Sequence, residues 1–373
     1  MRLPSTLIKQ ITIAPGRRIL VVSDIHGYLS YFQNALKKAN FCDNDILIIV
    51  GDMIEKGPES LATLRYVMEL CERGNVIPII GNVDAHRLKW INGMCKENVA
   101  RFYNFLLKLR AWQGTSFYEE LAHECGYTID SEEDVLLSQK AIIDHFEKEF
   151  DFLANLPTIV ETQNYIFVHG GLLEKRVEDN RNKDLFDLTK YDDFMSSTSH
   201  CFDKYVVVGH WPVSLYNREV QQLNPVIDRE KKIVSIDGGC GVKRECQINL
   251  LVIPDINCSI DEVSCVSYDS IPTIRALNVQ KPSSDSVHIS WIDREIEILD
   301  RGEEFSYVEH KRSGRKLYVP NSYLMSECEC RDYSDYMLHV EKGDKLSLIT
   351  ETSRGCIAKK DGIIGWYCGE YEK

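Results

Sequence analysis

Short apolar runs recur along the first two-thirds of the chain, and most of them stop at a glycine, an acid or a histidine. Residues 17–23 (RRILVVS), 45–52 (DILIIVGD) and 75–84 (NVIPIIGNVD) read as buried strands, because an unbroken apolar run of this length suits a strand covered on both faces. Between them the period changes. Residues 28–40 place Leu29, Phe32, Leu36 and Ala39 on one helical face, and residues 59–73 form a second helical stretch. Buried strands alternating with helices predict βαβ units and an α/β fold. Residues 85–156 carry apolar positions at three- and four-residue spacing and predict a helical insertion. Strands return at 165–171, 204–210, 232–239 and 247–255, and the pattern fades into short strands over 257–275.

The stretch 278–286 (NVQKPSSDS) reads as a linker. Beyond it, short β-like runs replace helical patterns. Residues 301–324 and 342–371 share a Gly-acid start, an alternating strand, a Ser/Arg/Gly turn, a second strand and a terminal Tyr, which is a weak internal repeat. The ending DGIIGWYCGEY is similar to the closing strand of bacterial SH3-like modules. The expected organisation is an enzyme-like domain over 1–275, a linker over 276–286, and a small all-β region of one or two SH3-like barrels over 287–373. That region is expected to be separable and to recruit a protein partner.

Charge narrows the function. Forty-four Lys and Arg against 57 Asp and Glu give a net charge of −13, which argues against a protein held to nucleic acid by a global positive field. The first twenty residues lack the apolar core of a signal peptide, and no apolar run is long enough to span a bilayer, so no membrane association is expected. Thirteen cysteines occur without a CxxC pair, which points to reduced thiols and a cytoplasmic location.

The chemistry lies where the strands end. Asp24 and His26 follow the first strand, Asp52 the second and Asn82 the third; His169 and His210 end later ones. In open α/β sheets function gathers at the carboxyl ends of strands. Each residue alone has an ordinary explanation as a turn, a cap or a packed histidine. Together, DxHG, GDxxxxG, GNxD, HGG and GH, each after an apolar strand, indicate one site. Carboxylate oxygens and neutral imidazoles suit Mn foremost, with Fe, Zn, Ni or Mg also compatible. Asp52 is the natural bridging carboxylate for two divalent ions, which at about 3.5–4 Å apart activate water and clamp a phosphoryl group.

At these residues the chain resembles the calcineurin-like metallophosphoesterases, and more closely the phosphoprotein phosphatases and their bacterial diadenosine-tetraphosphatase-like relatives. The resemblance covers roughly 17–270 and includes FLANLP before IFVHGG, VVVGHWP, and SIDGGC before a last strand. It implies a β-sandwich flanked by helices. It implies one ion on Asp24, His26 and Asp52, and another on Asp52, Asn82, His169 and His210. Asp237 and the glycines beside it would shape a turn at the rim.

Two motifs depart from the phosphatase pattern. GDMIEKG has Glu55 and Lys56 where Asp and Arg are usual, and IGNVD has Ile80, Val83 and Asp84 in place of Arg, His and Glu. In the family that His protonates the leaving oxygen and the arginines grip the phosphate. Valine transfers no proton, and a lysine is not a bidentate arginine. The catalytic candidates are therefore Asp52, Asp84 and His86, the last as a substitute acid, with Lys56 as the phosphate contact. The resulting expectation is a metal-dependent phosphoric ester hydrolase in which a hydroxide activated by two ions attacks phosphorus. Its substrate would be a phosphorylated protein or a nucleotide. The alternatives are a phosphodiesterase or dinucleoside polyphosphate hydrolase, and a catalytically weak pseudophosphatase acting as a binding module.

Overall fold

The computed structural model describes residues 2–373, which divide into two compact units. The first comprises residues up to 212 together with 225–268. Its centre is a five-stranded sheet in which Ile19–Val22 pairs in parallel with Ile46–Val50, and Ile46–Val50 with Val76–Ile79. Ile248–Ile253 runs antiparallel on the other side of the first strand. A six-stranded sheet holds Ile8–Gln10, Ile159–Glu161, Tyr165–Val168, Tyr205–Val208, Ile233–Ser235 and Val226–Asp228.

Side-chain alternation explains why the strands read as solid apolar runs. Val21, Ile48 and Val50 pack with Val160, Phe167, Val207 and Val234 between the two sheets. Leu20, Val22, Leu47 and Ile49 point the other way, into the helices. Both faces are covered, so the strands have no polar face. The first seven helices are α1 (Leu29–Lys38), α2 (Ser60–Cys71), α3 (Asn82–Gly93), α4 (Val99–Gln113), α5 (Phe117–Glu124), α6 (Glu132–His145) and α7 (Glu147–Ala154). The last five fill the predicted insertion. None is long and apolar enough to cross a membrane. Every cysteine is a free thiol.

The second unit comprises 213–224 and 269–373 and has no α-helix among its described residues. Its six-stranded sheet runs Tyr371–Glu372, Thr273–Ala276, Lys345–Thr352, Gly355–Lys360, Ile363–Tyr367 and Gln221–Gln222. Phe305–His310 and Lys316–Pro320, the two strands of the first repeat, form a meander with the preceding Ile296–Arg301, and Lys345–Tyr367 forms a second meander in the other repeat. Two features differ from the organisation expected above. The division falls at Asp269, and the stretch expected as a linker is bound into the unit. Gln280 pairs with Val340 through backbone bonds of 2.8 and 2.9 Å, and its side chain donates to Leu338 and Trp366 carbonyls at 2.9 and 2.7 Å. Polar Ser, Gln and Asn there satisfy backbone groups, which composition alone does not distinguish from solvation. Residues 213–224 leave the first unit's sequence and join the second unit's sheet, where Gln221 and Gln222 pair with Ile364 and Ile363.

Candidate metal centre

Four of the six expected ligand residues leave their strands in a left-handed backbone conformation: Asp24 (φ 51°), His26 (49°), Asp52 (52°) and His210 (63°). This conformation is uncommon outside glycine and costs roughly 1–3 kcal/mol each when held by surrounding structure. Three of the four, Asp24, His26 and Asp52, bring their side chains together. The preceding glycines allow the crowding: a Cβ on Gly81 would overlap Asp52, and one on Gly209 would overlap Asp24.

Asp24, His26 and Asp52 offer ligand atoms that all lie within 4.8 Å of one another, and all three are buried. His26 Nδ1 donates to the Ile54 carbonyl at 3.2 Å, which leaves Nε2 as an acceptor facing Asp52 Oδ2 at 3.5 Å and Asp24 Oδ1 at 3.7 Å. His169 uses Nδ1 on the Val50 carbonyl at 2.7 Å and aims Nε2 at Asn82 Oδ1 (3.0 Å) and Asp52 Oδ2 (3.3 Å). Asp52 therefore stands between the two histidines. Its other oxygen, Oδ1, accepts the Val83 N–H at 2.8 Å.

So many buried acceptors demand positive charge. The chain supplies two sources itself. Lys56 Nζ lies 2.9 Å from His26 Nε2. Burial lowers His169, but the Asp52 and Asp24 carboxylates outweigh it and push the imidazole up to about 10. Burial would raise Asp52, yet His169, His26 and Lys56 hold it below its usual range. Burial and the Lys56 ammonium push His26 down to about 3. Burial also raises Asp24 and Asp237. Oxygen and imidazole donors converging on a spot that draws in a proton and an ammonium fit a pair of divalent cations.

His210 lies at the edge of this cluster. Its backbone N–H donates to Asp24 Oδ2 at 3.0 Å, its ring centroid is 5.4 Å from that of His169, and Nε2 meets Asp192 Oδ1 at 2.7 Å. The His210 contact holds Asp192 below the usual carboxylate range. Asp192 is the orienting carboxylate that sequence reading missed, and nothing around KYDDF announces it. Asp237 makes the expected turn by accepting the Gly239 N–H at 2.7 Å.

The remaining site candidates stand elsewhere. Asp84 spends both oxygens on backbone N–H groups, of Met53 (3.0 Å), Ile54 (3.3 Å) and Gly81 (3.0 Å), so it fastens the Asp52 turn to the start of α3 and is not presented to a substrate. Burial and the Asp52 charge raise it to about 7. His86 is wedged edge-on between Trp90 (4.6 Å) and Phe186 (6.0 Å). Burial and the neighbouring Arg87, Lys89 and Arg101 push it down to about 4, which keeps it neutral rather than an imidazolium acid at neutral pH. Lys56 points into the ligand cluster. Glu55, where Asp is usual, accepts Arg87 Nε at 2.5 Å, and the pair is almost fully buried. The Glu55 carboxylate also takes the Phe117 N–H at 3.1 Å. Arg87→Met is expected to strand that carboxylate and destabilise the protein by about 3–5 kcal/mol, readable as a lowered denaturation midpoint. A midpoint unchanged from wild type would show the pair to be dispensable.

A family model described as calcineurin-like phosphoesterase matches residues 17–237. Among curated relatives, a symmetrical bis(5'-nucleosyl)-tetraphosphatase of Glaesserella parasuis is 43% identical over 75 residues, which is 20% of this chain and 27% of that protein. Its namesake from Buchnera aphidicola subsp. Schizaphis graminum is 34% identical over 125 residues, 33% and 44% of the two chains. The match thus spans less than half the length of either relative. A solved serine/threonine phosphatase from Saccharomyces cerevisiae shares 13% identity and a TM-score of 0.43, with 72% of this chain and 85% of that one covered.

Proposed function

This chain belongs to the calcineurin-like phosphoesterase family, and from that premise we propose that it is a phosphoric ester hydrolase working with two divalent ions, manganese foremost. The observation that carries the reading is the buried convergence of Asp24, His26 and Asp52 within 4.8 Å, continued through Asp52 to His169 and Asn82. Bound ions would supply Lewis-acid polarisation of a phosphoryl oxygen and an acidified water. Asp24 and His26 would hold one ion, Asn82, His169 and His210 the other, and Asp52 both. Asp192 would keep the His210 ring in place. Lys56, whose Nζ lies 2.9 Å from His26 Nε2, would be the chain's own contact for a phosphate oxygen.

None of the three residues at and beside the position of the family's histidine acid is set to protonate a leaving group. Val83 is buried and apolar, Asp84 is tied to the backbone, and His86 is neutral and enclosed by aromatics. A missing general acid commonly costs about 10²–10⁴-fold, and costs least when the leaving group needs no proton. This supports aryl esters and nucleotide phosphoanhydrides over alkyl esters such as phosphoserine. A second reading, hydrolysis of dinucleoside polyphosphates or phosphodiesters, draws on the same argument and on the relatives named above. The missing acid also suits a binding protein with little catalysis, which the intact ligand set opposes. The all-β unit is the proposed place for a protein partner.

Manganese-loaded protein should hydrolyse p-nitrophenyl phosphate. Protein that takes up no Mn²⁺ and cleaves neither aryl phosphates, phosphopeptides nor dinucleoside polyphosphates would overturn the proposal. Val83→His should raise turnover of a phosphoserine peptide more than that of an aryl phosphate, because a new proton donor matters most for a poor leaving group. An unchanged ratio of the two rates would mean that position 83 does not face the leaving oxygen.

A further inference from the structure

Helix α3 begins at the metal centre and ends in a cavity. Asn82, its first residue, faces His169, while Lys89, Trp90 and Met94 at the other end line a cavity of about 240 Å³ with Asn98, Arg101 and Phe102 of the α4 side. Clefts for drug-sized molecules measure roughly 300–1,000 Å³, so this one admits a single ring system rather than a whole nucleotide. Its aromatic wall is Trp90, half-buried and braced edge-on by Phe102 (5.3 Å), Phe105 (4.9 Å) and His86 (4.6 Å). Lys89 and Arg101 are exposed, and neither has a carboxylate partner among the described residues. Lys89 rests its ammonium 5.0 Å from the Phe186 ring. No acid lines the cavity, although the chain as a whole carries −13.

We propose that this cavity seats the base of a nucleoside phosphate, with Lys89 and Arg101 drawing in its phosphates. A flat aromatic wall favours a stacked ring, and unpaired cations beside it favour an anion; a nucleotide joins the two in one molecule. The helix gives the direction. Asn82, His86 and Lys89 are spaced i, i+4 and i+7 and share one face, so Lys89 stands about 10 Å along the axis from the metal-centre asparagine. A base against Trp90 therefore needs a chain of phosphates, not one, to reach that asparagine. The wall is also coupled to the centre. Arg87 spreads its guanidinium over Phe105 (4.4 Å) and Trp90 (5.8 Å) while bonding Glu55, the neighbour of Lys56.

The part of this proposal that concerns turnover rests on the hydrolase reading; the binding part does not. The test is calorimetric titration of the full chain in EDTA with ATP, AMP, ribose 5-phosphate and tripolyphosphate. ATP should bind more tightly than ribose 5-phosphate and tripolyphosphate. Trp90→Leu, and separately the exposed pair Lys89→Glu with Arg101→Glu, should each weaken ATP binding about tenfold or more. In manganese-loaded protein the same changes should lower the ratio of kcat/KM for a nucleotide to that for p-nitrophenyl phosphate by a similar factor. ATP binding no tighter than tripolyphosphate, or equal in the charge-reversed variant and wild type, overturns the cavity assignment even if aryl phosphates are cleaved. Nucleotide binding that needs Trp90 in a protein cleaving no substrate upholds the cavity and overturns the hydrolase reading instead.

Discussion

Asp52→Asn should leave a folded protein that no longer loads two ions, with phosphate ester hydrolysis at background. Among the described residues Asp52 is the one carboxylate within 4 Å of both histidines, at 3.5 Å from His26 Nε2 and 3.3 Å from His169 Nε2, and it is 1% exposed. Asparagine keeps the shape and can still accept the Val83 N–H, so the turn survives. It removes the charge shared between the two ion positions and leaves them to repel each other. The effect should exceed the roughly 10–100-fold that follows loss of an outer carboxylate, which is the size expected for Asp192→Asn through the His210 contact alone. Metal content by mass spectrometry and a Mn²⁺ titration measure the first effect; steady-state rates measure the second. Wild-type activity in Asp52→Asn would remove the two-ion mechanism. A loss of activity accompanied by a collapsed thermal transition would be read as misfolding, and the metal titration on the folded fraction would then decide.

What was legible in the sequence, and what was not, follows from range. Asp24, His26, Asp52, Asn82 and His169 were readable because each closes an apolar strand, and parallel strands bring their ends to one edge. What the glycines in those motifs do shows only in the structure, where Gly81 and Gly209 leave room for the Asp52 and Asp24 carboxylates. Roles that depend on where a side chain turns were not. Asp84 looks like a displaced acid in IGNVD, but one oxygen accepts the N–H groups of Met53 and Ile54 in the preceding strand's turn and the other accepts that of Gly81. Glu55 looks like a failed motif residue, yet it is matched by Arg87, whose charge no local pattern ties to it. Asp192 lies 18 residues before His210, on the far side of the Tyr205–Val208 strand, so no local spacing ties the two together. The unit division was hidden for a different reason: the segment that crosses over contributes a strand of two residues, Gln221–Gln222, too short and too polar to carry a period.

That crossing leads to the last expected result: a chain ending at Arg275 should not behave as an independent domain. The sequence suggested that the tail would be dispensable for metal binding. In the structure the stretch that starts three residues after His210 is built into the second unit. Leu223 donates its N–H to Gly362 at 2.8 Å and packs, fully buried, with Val287, Ile289, Phe305, Ile364 and Trp366. Asn224 donates to the Asp361 carbonyl at 2.6 Å, and Ser286 and His288 bond the carbonyls of Glu219 and Asn217 at 2.7 and 2.8 Å. Every one of those partners lies beyond 275. Truncation would expose Leu223, at about 1.5–3 kcal/mol for the side chain returned to water, and strand the backbone of Gln221 and Gln222. Domains are held by margins of about 5–15 kcal/mol, so a loss of this size is enough to unfold the segment and, through the Trp211–Pro212 link, to loosen His210. The expected outcome is an aggregating protein, or a soluble one with weakened Mn²⁺ affinity. In the full-length chain Leu223→Asp should reproduce the weaker affinity with a lowered melting temperature. A truncated chain that stays monomeric, loads two ions and cleaves an aryl phosphate at the full-length rate would show that 213–224 carries no load for the metal centre, and that the all-β unit is a separate attachment.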